Sequence, residues 1–168
     1  MNTLSSILSV QVPPFRDNRS EAVRSADPKN ILGSGRMHPI LDRKIEQFIE
    51  KAAAQGMDLY LYEGYRSPEA QAKIPSGNTR AKPGYSFHNY GLAADVVFRN
   101  KTGGPSWAEN HDWKRLGELG KSIGLEWGGD WKHLNDRPHF QYSPHHGIGE
   151  IRQLFQEGGL KRVWENIK

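Results

Sequence analysis

From Pro39 to Gln55 the apolar residues Ile40, Leu41, Ile45, Phe48, Ile49 and Ala52 recur at the spacing of one buried helical face. Pro39 suits a first helical turn and Gly56 a stop, so the pattern predicts a helix between them. Met57 to Tyr62 alternates and is rich in Leu and Tyr, which reads as a strand. Ser67-Pro68 opens a short helix through Gln71, and the Pro- and Gly-bearing stretch from Ile74 to Tyr85 reads as a loop. Ala93 to Phe98 predicts a second strand, with Ala93, Asp95 and Val97 on one face. After a turn from Lys101 to Pro105, Asp112 caps a helix whose buried stripe is Trp113, Leu116, Leu119 and Ile123, with Gly124 as its stop. Leu125 to Trp127 and His139 to Tyr142 read as short strands, and Ile148 to Gln156 and Leu160 to Ile167 as terminal helices.

These elements predict an α+β fold, with helices packed on a small, mainly antiparallel sheet. Residues 1–36, rich in Ser, Pro, Asn, Asp and Arg, read as an N-terminal arm with one short helix. Residues 37–168 read as a single domain ending in the C-terminal helices, with no internal repeat or linker.

Composition narrows the chemistry. The 168 residues are 36% hydrophobic and 25% charged, which suits a globular domain with its own core. There is no cysteine, so thiolate metal sites and cysteine nucleophiles are excluded and any metal must be held by His and carboxylates. The net charge of +4 comes from scattered basic residues. Tyr60, Tyr62 and Tyr65 lack the interleaved Lys and Arg of a base-stacking platform, so no nucleic-acid partner is expected. No stretch approaches the roughly 20 apolar residues that span a bilayer. The first ten residues lack a basic segment, an unbroken apolar run and a small-residue cleavage site, so they do not read as a secretory signal.

One segment stands out chemically. His88 precedes the second strand and Asp95 lies within it; much later comes Asp136-Arg137-Pro138-His139. Two imidazoles and one carboxylate are a ligand set of hydrolytic zinc sites, which keep a fourth position for water. A hydrogen-bonded structural His and a strand-edge Asp account for the same residues, and the spacing alone does not decide between them. Pro138 forbids a helix interior, so Asp136 would have to reach such a site by a turn into the strand.

The flanking residues add a specific likeness. Ser86 to Asp95 reads S-x-H-x-x-G-x-A-x-D, Asp136 to Phe140 reads D-x-P-H-F, and Tyr65-Arg66-Ser67 lies upstream. Together they resemble the zinc D-Ala-D-Ala / L-alanyl-D-glutamate peptidase family, in its phage endolysin and bacterial cell-wall hydrolase branch. The likeness runs from about Pro39 to Tyr142. It implies a Hedgehog / D-Ala-D-Ala peptidase-like fold and Zn2+ held by His88, Asp95 and His139. It further implies Asp136 as catalytic acid/base, preferred over Asp130, and Arg66 facing the scissile carbonyl. Ser86 matches a position near the substrate. The run Glu126-Trp127-Gly128-Gly129-Asp130-Trp131 resembles a stretch of the endopeptidase branch, which suggests Trp131 as a cleft wall, and His133 is close enough in sequence to line the site.

The implied partner is the bacterial peptidoglycan peptide stem, cut between L-Ala and D-Glu by an enzyme expected to act as a monomer. Such an enzyme would be made in the host cytoplasm and reach the cell wall through a separate membrane pore. Two alternatives remain at this level. One is a D-Ala-D-Ala carboxypeptidase or dipeptidase, which the Asp at position 136 disfavours because that branch usually has Glu there. The other is a zinc-holding wall-binding module without catalysis.

Overall fold

The computed structural model describes residues 19–75, 77 and 81–168. The first eighteen residues of the expected arm lie outside the described residues. The helices are α1 (Glu21–Ala26), α2 (Pro39–Ala54), α3 (Pro68–Ala72), α4 (Trp113–Ser122) and α5 (Ile148–Asn166). The strands are β1 (Leu59–Glu63), β2 (Ala93–Arg99), β3 (Pro105–Ser106), β4 (Glu126–Trp127) and β5 (His139–Gln141). Local signals account for most ends. Ser67 Oγ accepts from Ala70 N at the start of α3 and Asp112 Oδ1 from Arg115 N at the start of α4. Gly56 and Gly124 follow α2 and α4 with positive φ. Gly158 and Gly159 interrupt α5, so its two halves match the two terminal helices expected.

All strand pairs are antiparallel, in the order β1-β2-β5-β4, with β3 pairing the far end of β2. β3 falls at the end of the segment read as a turn; two residues carry too little pattern to register as a strand. Directly opposed residues share a face of the sheet. One face carries Leu61, Val96, Ala94, Phe140 and Trp127, which pack beneath α2 and α4 in the main core. Glycines in α4 allow close contact. A Cβ on Gly117 would lie 2.2 Å from the Trp127 ring, and one on Gly120 would lie 2.5 Å from Phe140. A second cluster joins Tyr90 and Leu92 to Ile151, Val163 and Ile167 of α5.

The opposite face is polar. Glu63, Asp95 and His139 form one row across three strands, and Ala93, Gln141 and Glu126 form the next. Glu63 reaches this face through a bulge. Leu61 pairs with Val96 and Glu63 with Asp95, so Tyr62 is an extra residue on β1. Regular alternation would have put Glu63 on the core side with Leu61.

Residues 19–36 are more integrated than an arm. Val23, Ala26 and Leu32 are core residues. Asp27 is buried, paired with Arg19 at 2.9 Å, and accepts from the backbone N–H groups of Ile31 and Leu32. A few apolar residues in a polar stretch gave no period to read, while one buried carboxylate satisfies the turn that brings them in.

Asp42, in the first turn of α2, accepts from Gly33 N at 3.1 Å, while its Oδ1 is buried without a hydrogen-bond partner. Burial pushes its carboxyl up to about 6, against the opposing pull of the Gly33 N–H. The folded state therefore holds this proton more tightly than the unfolded chain. The associated stability is fully present below about pH 4 and is lost as pH rises through 6. Asp42→Asn keeps an acceptor for Gly33. It should raise stability at pH 8 by on the order of 1 kcal/mol, with no gain at pH 4, as read from urea denaturation at the two pH values.

Candidate metal centre and cleft

A cleft of about 1050 Å³ opens on the polar face of the sheet, and His88, Asp95, His139, Arg66 and Asp136 all line it. His88 sits in a 3₁₀ turn, Phe87–Tyr90, that leads into β2. Ser86 Oγ accepts from His88 N, and Asn89 Oδ1 accepts from Ser86 N in return. Asn89 Nδ2 also donates to Arg66 O at 2.8 Å, and Arg66 N donates to His88 O at 3.0 Å. The turn carrying His88 is thus tied to the segment carrying Arg66. Gly91 closes the turn with φ +68°; a Cβ there would meet Arg36 O at 2.5 Å, so the close approach is to the segment before α2.

Three donor atoms converge. His88 Nε2 lies 3.2 Å from His139 Nδ1 and 3.3 Å from Asp95 Oδ1, and His139 Nδ1 lies 3.6 Å from the same oxygen. A tetrahedral ion with bonds of about 2.0–2.1 Å requires donors about 3.3–3.4 Å apart. The hydrogen bonds on the far side of each ring fix which nitrogen faces the cluster. His88 Nδ1 is 2.7 Å from Gly64 O, a carbonyl that can only accept, so Nδ1 carries the proton and Nε2 presents a lone pair. His139 Nε2 is 2.9 Å from Gln141 Oε1. The Gln141 amide is oriented in turn, because its Nε2 donates to Glu126 Oε2 at 3.1 Å. Ser143 Oγ donates to Glu126 Oε1. Two imidazole lone pairs and a carboxylate oxygen aimed at one point repel one another unless a cation lies among them, so the residues fit a divalent metal.

Electrostatics agree with this arrangement. Burial opposes charge on Asp95, but the imidazoles, His88 foremost, hold its carboxyl far below the usual range. Burial also disfavours a charged His88, yet Asp95 raises it above an ordinary imidazole. The attraction that favours a proton between these groups favours a metal cation equally. Burial pushes the Asp136 carboxyl up, aided by Asp95 and opposed by His139, His88 and Arg66. Burial opposes charge on Arg66, but its hydrogen bonds to Glu63, together with the charges of Glu63, Asp95 and Asp136, raise its guanidinium above the ordinary value.

Arg66 is fixed on several sides. Its Nε donates to Glu63 Oε1 at 2.9 Å and Nη1 to Gln71 Oε1 at 2.8 Å. Nη2 donates to Glu63 Oε2 and approaches Asp95 Oδ2 at 3.5 Å. Of the five guanidinium N–H donors, one on Nη1 remains for the cleft. Gln71 is buried and its Nε2 donates to Ala81 O. Asp136 is placed by Gly128. Asp136 N donates to Gly128 O at 3.1 Å, and a Cβ on Gly128 would lie 2.4 Å from Asp136 O.

The ring of Trp131 lies 5.0 Å from that of His139, and Trp131 forms part of the wall. Trp127 is buried in the core with its Nε1 on Arg137 O. Ser86 lines the cleft, and its Oγ accepts from His88 N in the turn. His133 is exposed and is not among the lining residues, which in that loop are Leu134 and Asn135. Asp130 pairs with Lys121 at 2.7 Å. Glu63, Gln71 and Gln141 were not anticipated. The strand bulge hid Glu63, and only the alternation from His139 to Gln141 hinted at the last.

Gln141→Leu should fill the same space, leave the His139 ring without its acceptor, and weaken metal retention about 10- to 100-fold. Competition against a chromogenic chelator measures this directly; unchanged affinity would show that the Gln141–Glu126 chain does not orient the ring.

A family profile described as D-alanyl-D-alanine carboxypeptidase matches residues 79–142. The peptidoglycan L-alanyl-D-glutamate endopeptidase CwlK of Bacillus subtilis (strain 168) is 36% identical over 124 residues, covering 64% of this chain and 74% of that protein. The L-alanyl-D-glutamate peptidase of Listeria phage A118 is 31% identical over 99 residues; the match covers 58% of this chain and 34% of the phage protein. Among solved structures, the Serratia marcescens L-Ala D-Glu endopeptidase ChiX superposes with a TM-score of 0.50 at 26% identity, covering 81% of this chain and 94% of that one.

Proposed function

The chain belongs to the peptidase M15 family of cell-wall metallopeptidases, and from that premise we propose that it hydrolyses the L-alanyl-D-glutamate bond of peptidoglycan peptide stems. The convergence of His88 Nε2, Asp95 Oδ1 and His139 Nδ1 beside Arg66 and Asp136 in one cleft carries the reading. The choice of bond is supported by the similarity to two L-alanyl-D-glutamate peptidases and by Asp at position 136.

We take the metal to be zinc, bound by His88, Asp95 and His139, where it would polarise the scissile carbonyl and make a bound water acidic enough to ionise near neutral pH. Asp136 accepts the proton of the attacking water and returns it to the leaving amine as the C–N bond breaks. Arg66 donates its remaining Nη1–H towards the carbonyl oxygen as negative charge develops there. Glu63 and Gln71 hold the guanidinium in place, so little reorganisation accompanies the reaction. The protein is proposed to act as a monomer on the cell wall. Among the described residues no helix is long and apolar enough to cross a membrane.

Digestion of purified peptidoglycan, with products read by mass spectrometry, tests this. A new free amino terminus on D-Glu, abolished by a chelator and restored by zinc, is the expected result. Release of terminal D-Ala instead would assign the chain to the carboxypeptidase branch.

Asp136→Ala should lower kcat by about 10²–10⁴ with zinc still bound. Arg66→Lys should lower it by about 10²–10³, because an ammonium loses the paired bonds to Glu63. Both are read from initial rates on a defined muropeptide. Full activity of the Asp136 variant would remove that residue from the mechanism.

A further inference from the structure

The cleft is large for the two residues that flank the scissile bond. Its volume of about 1050 Å³ lies at the top of the range for pockets that take drug-sized ligands. Part of its wall has no place in the chemistry described so far. Tyr62 and Trp107 both line the cleft and are 36% and 47% exposed, although each presents a large apolar ring. They form a pair, with ring centroids 4.9 Å apart and planes at 82°.

The pair is held from several directions. Tyr62 is the bulged residue of β1, and Lys29 Nζ lies 4.3 Å from the centre of its ring while donating to Tyr62 O at 2.8 Å. Trp107 directly follows β3, which is pinned to β2 by the pairing of Ser106 with Phe98. Ser106 Oγ in turn sits 2.8 Å from His111 Nε2. Tyr62 also immediately precedes Glu63, the residue that holds Arg66. An exposed aromatic surface is thus fixed one residue from the group that steadies the oxyanion donor.

The chemistry of the substrate says what such a surface meets. In peptidoglycan the L-Ala nitrogen is acylated by the lactyl group of a muramic acid sugar, so a pyranose ring lies one residue from the scissile bond. The C–H groups on the face of a pyranose are weakly positive and apolar, and they pack on the electron-rich face of an aromatic ring. The opposite direction along the stem carries free carboxylates; Lys29, the cation beside Tyr62, donates to Tyr62 O and does not line the cleft, so the pair offers the cleft its rings and not a charge. We propose that Trp107 and Tyr62 form a sugar-stacking platform that holds the muramoyl ring of the substrate, so that the enzyme prefers glycan-linked stems to free peptides. This rests on the L-alanyl-D-glutamate reading of the site.

Two matched substrates test it: an N-acetylmuramoyl peptide and the same peptide carrying a simple acetyl group in place of the sugar. Wild-type protein should show kcat/KM roughly tenfold higher on the muramoyl substrate. Trp107→Ala should lower kcat/KM on the muramoyl substrate about tenfold more than on the acetyl peptide, and Trp107→Phe should keep most of the preference. Equal rates on both substrates in the wild type, or an equal loss on both in Trp107→Ala, overturns the platform.

A parallel calorimetric titration of the Asp136→Ala protein with the two ligands separates the platform from the catalytic reading. A sugar-dependent gain in affinity without any cleavage by the wild type would overturn the proposed reaction and leave the platform standing. Absence of that gain would overturn the platform whatever the enzyme cleaves.

Discussion

The register of β2 against β5 is the constraint on which the site depends. Pairing of Asp95 with His139 sets a carboxylate and an imidazole side by side on one face of the sheet, while their neighbours Ala94 and Phe140 enter the core on the other. A slip of one residue would bury the ligands and expose the core. The apolar contacts beneath α2 and α4 therefore hold the metal donors in place as directly as any hydrogen bond does. His88 comes from outside the sheet, and its turn needs a capping pair and a carbonyl from Gly64 to bring Nε2 to the same point.

The polar groups around the donors divide into two rows with different roles. Glu63 and Gln71 restrain a permanent cation, so that the positive charge of Arg66 is delivered to one place. Gln141, Glu126 and Ser143 form a relay behind His139 whose only carboxylate is at the exposed rim. Asp95 connects the rows, touching both imidazoles and approaching Arg66. Charges of opposite sign alternate across the cleft floor, which is how a half-buried cluster of ionised groups stays compatible with folding.

The long helices were legible because their periods are strong: Leu41, Ile45, Phe48 and Ile49 in α2, and Trp113, Leu116 and Leu119 in α4, face the core as their spacing indicates. The convergence of His88, Asp95 and His139 was legible only through motif context, since they lie far apart in sequence and no single spacing joins them. Glu63 was not legible, because Leu59, Leu61 and Glu63 follow a regular alternation that the bulge breaks. Val23, Ala26 and Leu32 were not legible either, because their burial is created by a turn around Asp27 and not by any repeat. Glycine placement could be read only as turn preference, whereas Gly117 and Gly128 are required by rings and backbone arriving from distant segments.

The bulge at Tyr62 has a consequence for how the cleft can vary. An extra residue on an outer strand takes no part in the ladder, so its side chain is freed from the demands that pairing places on its neighbours. Substitution there changes what the rim of the cleft offers to an incoming molecule, whereas straightening the strand without removing a residue would turn Glu63 to the core side and away from Arg66. The identity of the residue at this position is therefore freer than the bulge itself, and the rim of the cleft can change at Tyr62 while Glu63 keeps its hold on Arg66.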